Sequence, residues 1–238
     1  MGVRIALVSG ANRGLGFETA RQLARRGYRV VLAARDLDKA EIAAGTLRRE
    51  QLDVLSHQLD VASDESCARL SQLGTVDVIV NNAAVIVESD ENPLAAGAFS
   101  RSALEVAPSL LREAFETNTL GAYRVMQALA PGMRDRGYGR IVNVSSGLGQ
   151  LNEMLGGYPA YRVSKAGLNA LTRIFASELR DAGVLVNSVC PGWAKTDMGG
   201  SHAQLEPEEA VATIVWAATL PDGGPTGGFF RLKQPIPW

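Results

Sequence analysis

The stretch Ser9-Gly10-Ala11-Asn12-Arg13-Gly14-Leu15-Gly16 lies between an apolar run, Val3–Val8, and a helical pattern near 15–26. Glycines at such a junction permit a tight turn and let a pyrophosphate approach the free N–H groups at the start of the helix. The spacing is G-x-x-x-G-x-G rather than the commoner G-x-G-x-x-G, and a glycine-rich turn can also be purely structural. Its position after the first strand of a βαβ unit favours dinucleotide binding.

Short apolar runs and helical patterns alternate along the rest of the chain. The further strand candidates are Arg29–Ala34, Val54–His57, Val76–Asn81, Arg140–Val144, Val184–Val189 and Gly228–Arg231, and the further helix candidates lie near 38–50, 64–72, 109–134, 158–181 and 207–219. Such alternation is typical of βαβ units, and nearly continuous apolar strands are expected where helices cover both faces of a sheet. We therefore predict one α/β domain over 1–238, a doubly wound Rossmann fold with a mostly seven-stranded parallel sheet. Residues up to about 145 would form a cofactor half and residues 146–238 a catalytic half.

The composition argues against several classes of function. The 238 residues carry a net charge of −1, which gives no reason to expect a nucleic acid or an anionic membrane as partner. No run approaches the ~20 apolar residues that span a bilayer, and the first apolar stretch is too short for a signal peptide. The two cysteines and two histidines have no metal-ligand spacing, so we expect no metal site. Cytoplasm is the expected location.

The end of the second strand candidate bears on the choice of cofactor. NAD-dependent enzymes place an acidic residue there, whereas this chain has Ala34 followed by Arg35. A guanidinium can bind the 2′-phosphate of NADP, and Arg13 can add a second positive charge. Arg35 could instead be a solvated charge neutralised by Asp36, but we interpret Asp36 as the cap of the next helix. NADP(H) is the predicted cofactor.

Tyr161 and Lys165 are four residues apart and therefore share one face of a predicted helix. A free tyrosine titrates near ~10 and is a poor base at neutral pH, but a nearby positive charge lowers its pKa. Such a pair also occurs on ordinary solvated helix faces. The pair indicates a catalytic site only in combination with the other motifs of the sequence.

The remaining motifs give the chain a resemblance to the short-chain dehydrogenase/reductases over essentially its whole length. The family's T-G-x-x-x-G-x-G is matched with Ser9 in place of Thr, and its N-N-A-G is matched with Ala84 in place of Gly. The other matching segments are Leu59-Asp60-Val61, Thr117-Asn118-Thr119, Val144-Ser145-Ser146, Tyr161 to Lys165 and Pro191-Gly192-Trp193-Ala194-Lys195-Thr196. Within the family the chain is most similar to the NADPH-dependent carbonyl reductases.

The resemblance implies the site residues. The catalytic set would be Asn118, Ser146, Tyr161 and Lys165. The cofactor-binding set would be Gly10, Asn12, Arg13, Gly14, Leu15, Gly16, Arg35, Asp60, Val61, Asn82, Ala83, Ala84, Tyr161, Lys165, Pro191, Gly192, Trp193 and Thr196. Tyr158 is the rival of Tyr161, but the residue four positions after Tyr158 is Arg162 rather than a lysine, so Tyr161 is favoured. Ser145 is the rival of Ser146, and the motif register favours Ser146.

The same resemblance implies the chemistry. Tyr161 would act as general acid in carbonyl reduction, Ser146 would hold the carbonyl oxygen, and Lys165 would lower the Tyr161 pKa and hold the nicotinamide ribose. Asn118 would hold a water that links Lys165 to solvent. Oxidation of a specific alcohol with NADP or NAD, and NADP(H) sensing without turnover, remain as alternatives.

The substrate is expected to be a small carbonyl or alcohol compound in an apolar pocket formed by 85–99, 147–158 and 193–206. The monomeric animal carbonyl reductases carry a long insertion before the catalytic tyrosine, whereas only fourteen residues, 147–160, separate Ser146 from Tyr161 here. That short connection leaves the two long predicted helices free to pair between subunits, so a homodimer or homotetramer is predicted.

Overall fold

The computed structural model describes residues 2–88, 102–200 and 202–238. Within them, one sheet has the strand order β3-β2-β1-β4-β5-β6-β7-β8. The strands are β1 Ile5–Ser9, β2 Arg29–Ala34, β3 Val54–Gln58, β4 Val78–Asn81, β5 Gly139–Val144, β6 Val184–Val189, β7 Phe229–Arg231 and β8 Gln234–Pro235. All seven predicted strands are confirmed, and their neighbours in the sheet pair in parallel.

Beyond the seven predicted strands, the sheet has an eighth, β8. β8 pairs antiparallel with β7 after a tight turn in which Leu232 and Lys233 both have positive φ. A strand of two residues, one of them proline, has no apolar run by which the sequence could reveal it.

The helices also follow the predicted pattern, but the helices predicted at 109–134 and 207–219 are each divided into two. They are α1 Gly14–Ala24, α2 Leu37–Arg49, α3 Asp64–Ala68, α4 Pro108–Phe115, α5 Gly121–Arg136, α6 Pro159–Glu178, α7 Pro207–Ala210 and α8 Ala212–Ala218. A π-helical turn, Glu116–Leu120, separates α4 from α5 within the single helix predicted at 109–134. Such turns are frequent at functional sites. Asp36 caps α2 by accepting a hydrogen bond from the Lys39 N–H at 3.1 Å, as predicted.

Helices cover both faces of the sheet, which explains the nearly continuous apolar strands. Successive residues of β1 point to opposite faces, so that Ala6 and Val8 pack in one core and Leu7 in the other. The first core receives residues of α1, α2 and α8, including Leu23, Leu47 and Ile214. The second receives residues of α5, including Met126 and Met133.

The strand order reverses direction between β1 and β4. The chain builds β2 and β3 on one side of β1, and β4 to β7 on the other. Ligands of open α/β sheets bind outside the carboxyl ends of the strands at this point. The glycine turn after β1 and the Asn81-Asn82 motif at the end of β4 meet there. No helix in the described ranges combines the length and hydropathy needed to cross a membrane.

Candidate active site

An open cleft of about 640 Å³ lies at the carboxyl ends of the central strands. Every predicted site residue except Gly16 and Asn118 lines it. The predicted substrate segments contribute Val85, Leu148 and residues 193–199. The predicted substrate segment 85–99 lies outside the described residues from position 89 onward.

The glycine turn has the geometry of a phosphate cradle. Gly10 and Gly14 have φ of +61° and +57°, which L side chains rarely adopt. A Cβ on Gly10 would stand 2.8 Å from the Cα of Ala83, so the close approach of the two loops also requires glycine. No described side chain caps the start of α1, where Arg13 is the capping position. The first N–H groups of this helix are therefore available to an anion.

Asn82 and Ser9 hold the turn in place. The Asn82 side-chain amide donates to the carbonyls of Ser9 and Gly10 at 2.9 and 3.1 Å. The Ser9 hydroxyl accepts from the N–H groups of Asn82 and Ala83 at 3.0 and 3.1 Å. Ala84, which replaces the family's glycine, is not among the residues with positive φ. The alanine methyl therefore imposes no left-handed strain there.

Positive charge surrounds the position expected for the adenosine 2′-phosphate. A hollow of about 530 Å³ next to the cleft is bordered by Arg13, Arg35 and Lys39. Asp36 pairs with Lys39 at 3.5 Å rather than with Arg35, and Arg13 pairs with Asp197 across the cleft at 2.6 Å. Both ion pairs are exposed and so contribute little to stability. The Arg35 guanidinium forms no ion pair with the described residues. The positively charged donors of Arg13, Arg35 and Lys39 that border the hollow fit a phosphate.

Tyr161 and Lys165 both lie on the cleft wall and are almost fully buried. Lys165 Nζ donates to the Val144 carbonyl at 2.8 Å and stands 5.6 Å from the centroid of the Tyr161 ring. The Ser146 hydroxyl accepts from the Leu148 N–H at 3.1 Å. It also lies close enough to Tyr161 to hydrogen-bond the phenol.

Burial dominates the titration of this pair. Burial raises the pKa of Tyr161 well above its ordinary value, the nearby Cys190 thiol raises it further, the hydrogen bond with Ser146 lowers it, and the Glu88 carboxylate raises it. Burial also lowers the pKa of Lys165 to about 7. The predicted lowering of the Tyr161 pKa by Lys165 is therefore wrong for this structure, because desolvation of the phenolate outweighs any attraction to the lysine.

Asn118 lies in the π-helical turn, behind the cleft rather than in it. Its side-chain oxygen accepts from the Val85 N–H at 2.8 Å, and its amide donates to the Val85 carbonyl at 2.9 Å and to Ser164 Oγ at 2.9 Å. These contacts tie the segment after β4 to α6. Its role in a proton relay stays a prediction.

The rival residues are placed differently from the favoured ones. Tyr158 precedes α6 in a left-handed conformation and is not among the residues that line the cleft. Ser145 lines the cleft but is buried, and its hydroxyl faces the Lys165 carbonyl at 3.5 Å. The geometry favours Tyr161 and Ser146.

Sequence reasoning missed Glu88 and Cys190. The Glu88 carboxylate is buried and accepts a hydrogen bond from the Tyr161 N–H at 3.0 Å. It therefore lies at the N-terminal end of α6. The Cys190 thiol accepts from the Gly147 N–H at 3.2 Å and from Arg231 Nε at 3.4 Å. No motif could have found Glu88, which lies 73 residues before Tyr161 in the chain. No cluster of potential metal ligands occurs in the ranges that the structure describes.

Comparison with known proteins agrees with this geometry. The family model for short chain dehydrogenase matches residues 4–206. The chain is 35% identical to (+)-neomenthol dehydrogenase of Arabidopsis thaliana, with 97% of each chain covered. It is 34% identical to carbonyl reductase [NADPH] 1 of Sus scrofa, with 99% of this chain and 94% of the relative covered. That alignment spans 286 positions, more than the 238 residues of this chain, so the pig protein carries segments that are lacking here.

A solved structure shows the same architecture. Salutaridine reductase of Papaver somniferum superposes with a TM-score of 0.82 at 29% identity, with 95% of this chain and 99% of that one covered.

Proposed function

The chain belongs to the short-chain dehydrogenase/reductase family, and from this premise we propose that it reduces a ketone or aldehyde to an alcohol with NADPH. The observation that carries the proposal is the position of Tyr161. Its phenol lies on the wall of the cleft beside Ser146, and Lys165 Nζ stands 5.6 Å from the centroid of its ring. A protonated phenol in this position can donate a proton to a carbonyl oxygen bound in the cleft, which is the role of a general acid.

The cofactor has a cradle made from this chain's own residues. The turn from Gly10 to Gly16 and the start of α1 would hold the pyrophosphate, and Arg13 and Arg35 would hold the 2′-phosphate. Asp60 and Val61 would contact the adenine. Further along the cleft, the nicotinamide half would be held by Asn82, Ala83, Ala84, Tyr161, Lys165, Pro191, Gly192, Trp193 and Thr196. The name of the pig relative, carbonyl reductase [NADPH] 1, supports this choice of cofactor.

The mechanism divides between the cofactor and the protein. When bound, NADPH supplies the hydride that goes to the carbonyl carbon. The Ser146 hydroxyl donates a hydrogen bond to the carbonyl oxygen and stabilises the negative charge that develops on it. Tyr161 Oη gives its proton to that oxygen, which completes the alcohol. Lys165 would return Tyr161 to its protonated state, because an amine with a pKa of about 7 can accept and donate a proton at neutral pH.

The substrate we propose is a small to medium apolar carbonyl compound. Leu148, Trp193 and Met198 line the cleft near Ser146 and provide apolar surface. The names of two relatives, a neomenthol dehydrogenase and a carbonyl reductase, support a compound of this class. The second candidate function is oxidation of an apolar alcohol with NADP. The name of the neomenthol dehydrogenase favours it.

We also propose a cytoplasmic homodimer or homotetramer of one domain, with the cofactor half before about residue 145 and the catalytic half after it. Val163 and Ile174 on α6 are half exposed, which supports an interface on that helix. Light scattering of the purified protein would decide the oligomeric state.

The test of function is oxidation of NADPH or NADH in the presence of a panel of ketones, quinones and aldehydes. We expect turnover with NADPH, and a loss of about 10²-fold or more in kcat for Tyr161→Phe, since a positioned general acid contributes about that much. Tyr158→Phe is the matched control, because it removes the same hydroxyl three residues away and should keep most of the rate. An unchanged rate in Tyr161→Phe would contradict the proposed mechanism.

A further inference from the structure

Arg162 lies inside the Tyr161–Lys165 motif, but its side chain points away from Lys165 toward the segment 147–158. It is buried, with only 8% of the residue exposed. Arg162 Nε donates to the Gly157 carbonyl at 2.8 Å, and Nη2 donates to the Gly156 carbonyl at 3.3 Å. Nη1 donates to the Leu148 carbonyl at 3.3 Å and contacts Met154 Sδ at 3.9 Å. One guanidinium therefore holds both ends of the segment.

The partners of this guanidinium are all uncharged. No carboxylate pairs with Arg162 among the described residues, and burial, its main influence, lowers its pKa. A buried charge without an opposite charge is costly unless hydrogen bonds compensate it, and here three carbonyl oxygens supply those bonds. Only arginine offers a rigid planar fork of donors that can reach carbonyls nine residues apart in the chain. The geometry is that of a clamp on the segment.

The two halves of the segment differ in their other contacts. The first half is held by the Asn169 amide, which donates to the Gly149 carbonyl at 3.2 Å, by the Gln150 amide, which donates to the Pro237 carbonyl at 2.9 Å, and by the Asn152 N–H, which donates to the Trp238 carbonyl at 3.0 Å. In residues 153–157, the hydrogen bonds to described residues beyond the segment all come from Arg162. Leu155 is largely exposed, and the chain turns into α6 through the positive-φ residue Gly157. Arg162 therefore fixes the path of the second half.

The clamp connects directly to the site through Leu148. The Leu148 side chain lines the cleft, its N–H donates to the Ser146 hydroxyl, and its carbonyl accepts from Arg162. A change in the position of the Leu148 backbone would therefore move an apolar wall of the cleft and also the hydroxyl that is to hold the carbonyl oxygen.

We propose that Arg162 is a positioning residue that fixes the segment 148–157, and through it the Leu148 side chain that lines the cleft, and thereby sets which carbonyl compounds are accepted. The substrate part of this inference rests on the proposed function. The structural part concerns the segment alone and can be tested without turnover.

The experiment compares the wild type with Arg162→Lys, Arg162→Met and the control Arg180→Met, which removes an exposed guanidinium just beyond α6. For each protein, kcat and KM are measured with a compact and a bulky apolar ketone, and the NADPH Kd is measured by fluorescence titration. Hydrogen exchange is followed in the peptides that cover 147–158. Arg162→Lys keeps the charge and the fold but cannot span the carbonyls, so it remains informative if Arg162→Met does not fold.

We expect Arg162→Lys to lower kcat/KM for the preferred ketone by about tenfold, the effect of weakening one hydrogen bond to a charged group. The ratio of kcat/KM between the two ketones should move toward one, exchange in 147–158 should become faster, and the NADPH Kd should stay unchanged. Arg180→Met should alter none of these quantities. An unchanged ketone ratio with unchanged exchange in 147–158 would overturn the proposal.

The two proposals fail in different ways. A wild type that turns over none of the ketones would contradict the proposed function but not the clamp. The exchange measurement would then decide, since faster exchange confined to 147–158 supports the positioning role and unchanged exchange refutes it.

Discussion

At the scale of single residues, desolvation dominates the pKa values of Tyr161 and Lys165, the proposed catalytic pair. The Tyr161 phenol and the Lys165 amine are both buried, and burial favours the neutral form of each, raising one pKa and lowering the other. Near pH 7 the phenol is therefore protonated, and the Lys165 amine, with a pKa of about 7, is about half protonated. A protonated phenol can donate to a carbonyl oxygen, as the proposed reduction requires.

Glu88 adds a test of this electrostatic account. After burial and the Cys190 thiol, its carboxylate is a further influence that raises the Tyr161 pKa. Reduction needs the protonated phenol, so activity falls as pH rises through the Tyr161 pKa. Glu88→Gln removes the charge and keeps an oxygen for the Tyr161 N–H, so the Tyr161 pKa should fall. We expect the alkaline limb of the kcat/KM profile to move to lower pH.

The control is Glu178→Gln, which neutralises an exposed carboxylate in the last turn of α6. Lys165 and Cys190 face Tyr161 in both variants and so do not affect the comparison. An alkaline limb that stays in place in Glu88→Gln would show that the carboxylate serves only as a helix cap.

At the scale of elements, the start of α1 packs tightly against the glycine turn and Asn82. A Cβ on Gly16 would lie 2.5 Å from Asn82 Nδ2 and 2.6 Å from the Gly10 carbonyl oxygen. Neither neighbour can retreat freely, because each takes part in the bonds that hold the glycine turn. We expect Gly16→Ala to weaken NADPH binding by about tenfold or more and to lower the free energy of unfolding by about 1–3 kcal/mol.

Gly45 is the matched control, since it too lies inside a helix, in α2. A Cβ there would meet only the flexible end of Arg48, at 3.8 Å. Gly45→Ala should raise the free energy of unfolding by up to about 1 kcal/mol through helix propensity, without a change in NADPH affinity. Equal effects of the two substitutions in thermal denaturation would contradict the packing argument.

The elements also show which features can be predicted from sequence. The strands, the glycine turn and the Asp36 cap depend on signals within a few residues, and the structure contains all three. The π-helical turn could not be predicted, because it depends on the contacts that Asn118 makes with Val85 and Ser164. The Glu88 contact with Tyr161 is likewise set by tertiary packing, and so is the burial that reverses the expected shift of the Tyr161 pKa.

At the scale of the whole molecule, the cleft joins the two sides of the sheet. The glycine turn follows β1 and Arg35 follows β2, on one side of the sheet. Trp193 and Thr196 follow β6, on the other side. A ligand that contacts both sides binds the folded state alone and must stabilise the entire sheet. Cofactor binding is therefore measurable as a change in thermal stability, with no substrate needed.

We expect NADPH at 100 times its Kd to raise Tm by roughly 5–10 °C, from about 2.7 kcal/mol of binding linkage and about 2–4 °C per kcal/mol for a domain of this size. NADH at the same concentration should give a smaller rise, because it offers no 2′-phosphate to Arg13 and Arg35. The measurement is differential scanning fluorimetry over a concentration series of each nucleotide.

Arg35→Asp separates the 2′-phosphate contact from the rest of the cleft. The substitution places a carboxylate where NAD-dependent enzymes bind the ribose 2′-hydroxyl, and the carboxylate repels a phosphate. The rise in Tm with NADPH should therefore shrink and the rise with NADH should grow, while the Tm of the protein without nucleotide stays nearly constant because Arg35 makes no ion pair with the described residues. If the preference for NADPH persists in Arg35→Asp, the 2′-phosphate is bound instead by Arg13 and Lys39, which border the same hollow.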